Sequence, residues 1–259
     1  MSLYNDYDVD DILFDLPCNI GQNLSVYPVR VSDYKRFTVL SKYLLLGKEH
    51  LGLESDKDVF MAVIQVVLQE YMGEEDKDIE NCFTRIIGEL EELFSILTRQ
   101  TIVFKQSVSE KIIFTSQDKK MLVSEYNYSE LRQVVMLQNL LHEPKVYKNK
   151  IVAEWAERVK KARQKKSGSM QLFDIINIVS VGMNIKYGEL YKEMNVFQLY
   201  SYFARLTHEE EYKATILFKT VSDKVPNVDY TKSVISEIMK NPDDDLFKES
   251  STSKLGNML

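Results

Sequence analysis

The sequence predicts a mainly α-helical protein with a small antiparallel β insertion, arranged as an N-terminal helical domain followed by a C-terminal helical unit. Three observations carry that prediction. Apolar residues recur at three- and four-residue spacing along most of the 259 residues, the period of a helix with one buried face. Nine Gly and five Pro are too few to punctuate a many-turned all-β fold. Between residues 101 and 125 the period shortens, and β-branched runs alternate with polar turns.

Residues 1–31 mix aspartates with scattered hydrophobics and pass through Pro17, Gly21 and Pro28, which reads as an irregular arm with one short apolar anchor. The N-terminal helical domain is expected over 32–147. Ser32 or Asp33 caps a first helix carrying Tyr34, Phe37, Leu40, Leu44 and Leu45, stopped by Gly47. Asp56 or Asp58 starts a second, with Val59, Phe60, Val63, Ile64 and Val67 on one broad face. The acidic run from Glu74 to Asp78 suits the N-terminus of a third, whose stripe runs from Ile79 through Phe83, Ile86, Leu90 and Leu93 to Leu97. TIVFKQ, EKIIFTS and MLVSEY within 101–125 then make three short antiparallel strands, or a hairpin plus one. A helix opens at Ser129 and ends by Pro144.

Residues 148–169 read as a linker helix that begins amphipathic, with Ile151, Val152 and Trp155, and becomes basic. Over 148–166 eight Lys or Arg face two Glu, a local charge of +6 in a chain whose total is −6. Ser167-Gly168-Ser169 marks a boundary. The C-terminal unit, 170–222, is expected as three or four short helices: one over 170–182, one near Tyr187 to Met194, one over VFQLYSYFARL, and one capped by Thr207 with Glu210 completing a capping box. On that last helix Tyr212, Ile216, Leu217 and Val221 are taken as the apolar face. Residues 223–259, with Pro226, Pro242, Asp243 to Asp245 and a Ser/Thr-rich end, are expected to be a mobile tail holding one short helix around 230–240.

Two Cys, Cys18 and Cys82, make no disulfide framework and suit a reducing compartment. No run of eighteen apolar residues occurs, so no transmembrane helix and no membrane role are expected. Three His, no G-x-S-x-G elbow, no glycine-rich phosphate loop and no clustered thiolates argue against an enzyme, a cofactor or a metal site. The acidic clusters lack EF-hand spacing and read as solvated charge. The chemistry that remains is contact with a partner. Arg158, Lys160, Lys161, Arg163, Lys165 and Lys166 form the sharpest charge feature. They read as a solvated or internally paired helix end, with the acidic arm 6–15 one candidate for the pairing, or as a site for an acidic protein. Nucleic acid is the alternative reading, disfavoured because no aromatic residues interleave to stack bases. Tyr202 points away from the face holding Tyr200 and Phe203; it reads either as core, as most of the tyrosines do, or as an interface residue.

Two local patterns carry a resemblance: Val26-Tyr27-Pro28 before the first helix, and N-V-F-Q-L-Y-x-x-F-x-R-L at Asn195 to Leu206, followed by an acidic helix from Glu209 to Tyr212. With the order of helices, β insertion and charged linker, they span most of 25–220. In this the chain resembles the tail or baseplate assembly proteins, often labelled tail assembly chaperones, of tailed phages of Gram-positive hosts. The resemblance implies a non-enzymatic protein that binds the tape-measure protein or a baseplate or hub component in the host cytoplasm during assembly. A permanent component of the virion tail is a close variant. Gln198, Leu199, Tyr200, Phe203 and Arg205 match the family's C-terminal pattern, and Gln198 and Arg205 join Tyr202 and the basic cluster as expected partner-binding residues.

Overall fold

The structure is a computed structural model that describes residues 9–21, 23–74, 78–106, 112–118, 120–166, 170–222 and 225–245. Helices predominate, with two small antiparallel sheets. The chain divides into two units, residues 1–143 with 192–197 and residues 144–191 with 198–259. The Ser167-Gly168-Ser169 linker, Asp6, Asp8, Glu75, Asp76 and residues 246–259 lie outside the described residues.

In the first unit the expected arm is structured. Helix α1 (Val9–Leu13) leads to a hairpin of β1 (Cys18–Ile20) and β2 (Leu24–Val26), with Cys18 opposite Val26 and Ile20 opposite Leu24. Gly21 turns the hairpin in the left-handed region, at φ 60°. Ile20, Leu24, Val26 and Val29 all enter the core, so this segment is part of the domain and the irregular-arm reading is corrected. Alternation over three-residue strands is too short a signal to stand out in a sequence.

The first expected helix is broken in two, α2 (Val31–Leu40) and α3 (Lys42–Leu45). Between them the Ser41 hydroxyl donates to the Thr38 carbonyl at 2.8 Å, a side-chain bond that competes with the helix ladder. A short α4 (Lys48–Leu51) follows, then α5 (Val59–Glu74) and α6 (Ile79–Thr98), the latter capped by the Asp78 carboxylate. The β insertion is a three-stranded meander of β3 (Ile102–Gln106), β4 (Ile112–Ser116) and β5 (Leu122–Ser124), in the order β3-β4-β5. Helix α7 (Tyr128–Gln138) closes the unit. Its core centres on aromatic rings: Phe60 stacks on Tyr128 with centroids 4.5 Å apart, and Phe94 meets Phe114 edge-on at 5.1 Å. Burial of each such ring contributes about 2–3 kcal/mol.

Residues 192–197 complete this unit. Val31 N–H donates to the Met194 carbonyl at 3.0 Å, and Val196 N–H to the Val29 carbonyl at 2.9 Å. The Asn195 amide, fully buried, donates to the Ile12 carbonyl and to Asp15. The Tyr-Pro element has a structural use as well. Tyr27 lies beneath the Arg99 guanidinium, which grips Asp15 with two bonds of 2.6 and 2.7 Å and also donates to the Pro28 carbonyl.

The second unit contains α8 (Lys150–Lys166), α9 (Leu172–Met183), most of α10 (Tyr187–Glu193), most of α11 (Val196–Lys219) and the short α12 (Ile235–Ile238). A capping box between Gln171 and Asp174 starts α9. At its other end Gly182 sits so near Leu206 that a Cβ there would fall 2.7 Å from a Leu206 methyl. Two expectations are corrected. The helices expected on either side of Thr207 are one, α11, because the Thr207 hydroxyl donates back to the Phe203 carbonyl as a helix-interior threonine does, and caps nothing. Residues 225–245, expected within a mobile tail, are held against α8 and α11. Tyr230 packs on Tyr212 with centroids 5.0 Å apart, Asp243 pairs with Lys160 and Asp244 with Lys145.

Candidate functional site

The outward faces of α8, α9 and α11 in the second unit form the candidate site, an exposed and partly apolar surface. Helix α11 shows how it arises. The 225–245 segment covers one side: Arg205 donates to the Tyr230 carbonyl at 3.0 Å and stacks on its ring, His208 Nε2 bonds the Asp229 carbonyl at 2.8 Å, and Lys219 contacts Asn227. Tyr212 and Thr215 lie on that same side, half-buried. The opposite side carries Ala214, Leu217, Phe218 and Val221 at the three-and-four spacing of a packing stripe. Yet Leu217 is 67% exposed and Val221, just past the helix end, 80%. The expected apolar face of this helix is therefore corrected: Tyr212 turns inward, while Leu217 and Val221 turn outward. Five residues advance a helix by about 140° beyond a full turn, so 212 and 217 cannot share a face.

Helix α9 repeats the situation. Ile175, Val179 and Ser180 face inward and are buried, but the outer side bears Val181, 77% exposed, and Ile178, and Phe173, 67% exposed, lies on a neighbouring flank of the first turn. On α8, Ala156 is buried and Lys160 reaches Asp243, while Ile151 and Trp155, the only Trp in the sequence, are exposed. Single exposed apolar side chains are ordinary, but runs of them at helical spacing mark interaction surfaces.

The sequence-predicted residues fall into four groups. Arg158 and Lys161 are exposed on α8, the latter 3.8 Å from Glu157. Lys160 and Arg205 are engaged with the 225–245 segment, at Asp243 and Tyr230. Within the second unit Lys160 of the basic helix pairs with Asp243, and in the first unit Asp15 of the arm is held by Arg99. Gln198 is half-buried and Tyr202 exposed on α11. The side chains of Arg163, Lys165 and Lys166 lie outside the described residues. Sequence reasoning missed Phe173, Val181, Leu217, Phe218 and Val221 as surface residues. The signal was present in 170–183, where apolar residues occupy both sides of the helix.

The densest polar cluster lies in the first unit and is closed. The buried Glu89 carboxylate accepts from Tyr43 and Tyr71 hydroxyls, each at 2.8 Å, and pairs with Lys42 at 2.8 Å and Arg85 at 3.3 Å. Burial works against the charge of Glu89, but hydrogen bonds from Lys42, Tyr71 and Tyr43 outweigh it and hold the carboxyl below its usual range. The same bonds outweigh desolvation at Lys42 and raise its pKa, whereas burial and then Glu89 push Tyr43 up. Each oxygen of the carboxylate is occupied, so the cluster serves as an internal tie. The Cys18 thiol is pushed up to about 11, by burial first and then Glu130 and Asp11, which removes it as a thiolate nucleophile near neutrality. Among the described residues no group of three or more His, Cys, Asp or Glu is placed to hold a metal ion, and no helix is long and apolar enough to cross a membrane.

One comparison with known proteins falls mainly on the second unit and another spans most of the chain. A family model described as YomV second domain matches residues 161–234, a span that includes all of α9 and α11. Over 206 residues, 80% of this chain and 80% of the relative, the chain is 24% identical to the SPbeta prophage-derived uncharacterized protein YomV of Bacillus subtilis (strain 168). Together these likenesses indicate a phage-derived protein. No solved structure matches.

Proposed function

We propose that the chain is a non-enzymatic tail or baseplate assembly protein of a phage, acting by protein–protein contact with the tape-measure protein or a baseplate or hub component. One observation carries the reading: α9 is apolar beyond its buried side, with Ile178 and Val181 on its outer side and Phe173 on a neighbouring flank all left in water. A helix of that composition belongs in an interior. The partner supplies the missing half of that interior. The prophage relative supports the setting, and the N-V-F-Q-L-Y pattern supports the tail. Where that pattern is buried, at Asn195, Val196, Phe197 and Leu199, it serves the fold, which leaves contact with the partner to the outward residues.

The test is co-expression with the tape-measure and hub proteins of the same genome. A complex is expected to co-purify with the wild-type chain and to be lost in the double variant Phe173→Asp/Val181→Asp. Losing burial of both side chains weakens binding by about 3–5 kcal/mol. The variant keeps its far-UV circular dichroism, because both side chains are already in water. Free migration of the wild-type chain beside every tail protein tested would refute the proposal. Mass spectrometry of gradient-purified virions separates the two forms of the reading: stoichiometric presence marks a tail subunit, and presence in the lysate alone marks a chaperone.

A further inference from the structure

Two of the exposed stripes complement each other. Along α8 the outward residues run Ile151, Trp155, Arg158 and Ala162, apolar first and then basic, with Lys161 at the edge. Ile151 is 66% and Trp155 60% exposed. Along α11 the outward residues run Glu210, Glu211, Ala214, Leu217, Phe218 and, just beyond the helix, Val221, acidic first and then apolar. Laid antiparallel with Ile151 opposite Val221, the helices bring Trp155 opposite Leu217, Arg158 opposite the small Ala214, and Lys161 opposite Glu211. Arg158 reaches Glu210 or Glu211 one turn along. The apolar halves exclude water together while the charges meet at the other end, over about 17 Å of helix. A parallel arrangement with Ile151 opposite Glu211 would set Arg158 against Phe218 and Lys161 against Val221 and bury cations without partners, which is costly.

Within one copy both stripes face solvent; Lys161 lies near Glu157 and Glu210 pairs with Lys213 on their own helices, but the apolar halves are uncovered inside the chain. We propose that the chain self-associates, the α8 stripe of one copy packing antiparallel on the α11 stripe of a second copy. The contact joins two different surfaces. It closes as a two-fold dimer when both α8–α11 pairs form between the same two copies, and otherwise builds a ring or a filament. The inference goes beyond the tail-assembly reading and is independent of it, since it leaves the outer face of α9 for another protein.

The experiment is sedimentation velocity of the purified full chain over a range of concentration, with fluorescence of Trp155 read on the same samples. A species heavier than the 30.2 kDa monomer is expected, together with a blue shift of Trp155 emission that disappears on dilution. Trp155→Glu and Leu217→Glu should each weaken association by about thirty-fold or more, with unchanged circular dichroism. Mixing these two variants is the decisive arm. The first keeps a sound α11 stripe and the second a sound α8 stripe, so the mixture should form one good contact and recover a heterodimer. Lys161→Glu and Glu211→Lys should each weaken association about three-fold, and their combination should restore it. A chain that stays monomeric at every concentration would overturn the proposal. So would assemblies that survive both stripe variants, or a mixture that fails to recover. A wild-type chain that captures a tail partner yet stays monomeric at every concentration would sink this inference alone.

Discussion

Replacing Glu89 by Gln tests whether one buried carboxylate organises the first unit. The change keeps the volume and removes the charge. In the structure Glu89 is 8% exposed and receives Tyr43, Tyr71, Lys42 and Arg85. The amide keeps one acceptor, so at least one tyrosine hydroxyl or the Lys42 ammonium loses its partner. A buried donor left unsatisfied costs about 1–3 kcal/mol, and breaking a buried ion pair about 3–5 kcal/mol. Lys42 keeps some access to water, which pulls the sum toward the lower end, about 3 kcal/mol. In a unit of about 150 residues this lowers the melting temperature by about 6–12 °C. Calorimetry and urea unfolding followed by circular dichroism measure it. The pH dependence is a second readout. Because the folded pKa of Glu89 is depressed, its stabilisation is present above the ordinary carboxylate pKa and is lost as pH falls through the folded value. Lys42, with its pKa raised, contributes stability that is present below the ordinary lysine pKa and lost as pH rises through the folded one. Glu89→Gln should therefore destabilise at pH 7 and flatten the loss of stability below about pH 4.5. A variant within 0.5 kcal/mol of wild type, at roughly the precision of such measurements, or one with an unchanged acid limb, would refute the account.

Two further substitutions probe particular contacts. Arg99→Ala should cost about 2 kcal/mol through loss of the charge-assisted bonds to Asp15 and Pro28, while Arg99→Gly should cost less because Arg99 sits at φ 54°; urea midpoints for the two variants order them. Gly182→Val should destabilise the second unit by about 2 kcal/mol by driving a branched side chain into Leu206, and Gly182→Ala by less because better helix propensity offsets part of the crowding; far-UV circular dichroism in urea reads both.

The legible parts of the fold are those where the pattern is long. Twenty residues of α6 place Ile86, Leu90, Leu93, Phe94 and Leu97 on one buried face, and no alternative period fits them. The β insertion announced itself by β-branched runs such as Ile112-Ile113-Phe114. What stayed hidden was short or depended on a distant partner. The β1–β2 hairpin offers three residues per strand, and its burial depends on bonds from α6 and α7, such as Tyr27 N–H to the Leu97 carbonyl and Gln138 to the Val26 carbonyl. Thr207 with Glu210 spells a capping box, but the same residues are compatible with a helix interior once Phe203 offers its carbonyl. The basic cluster of α8 was visible as charge; that Lys160 would turn inward to Asp243 was not, since the partner lies 83 residues away.

The second unit shows why periodicity finds a stripe without naming what covers it. The spacing of Ala214, Leu217, Phe218 and Val221 is as regular as that of the buried α6 face, and a sequence reader assigns both to a core. The two differ in what stands opposite. Against α6 stand α2, α5 and the sheet; against the outer side of α11 stands solvent, because the 225–245 segment packs on the other flank through Tyr230 and Asp229. Burying Leu217, Phe218 and Val221 would be worth about 5 kcal/mol or more, a driving force that only a partner can collect. The same reasoning applies to α9, where Phe173 and Val181 oppose the buried Ile175 and Val179 across one helix. A unit built this way leaves on its surface apolar residues at the spacing of an interior, which is the basis of both proposals.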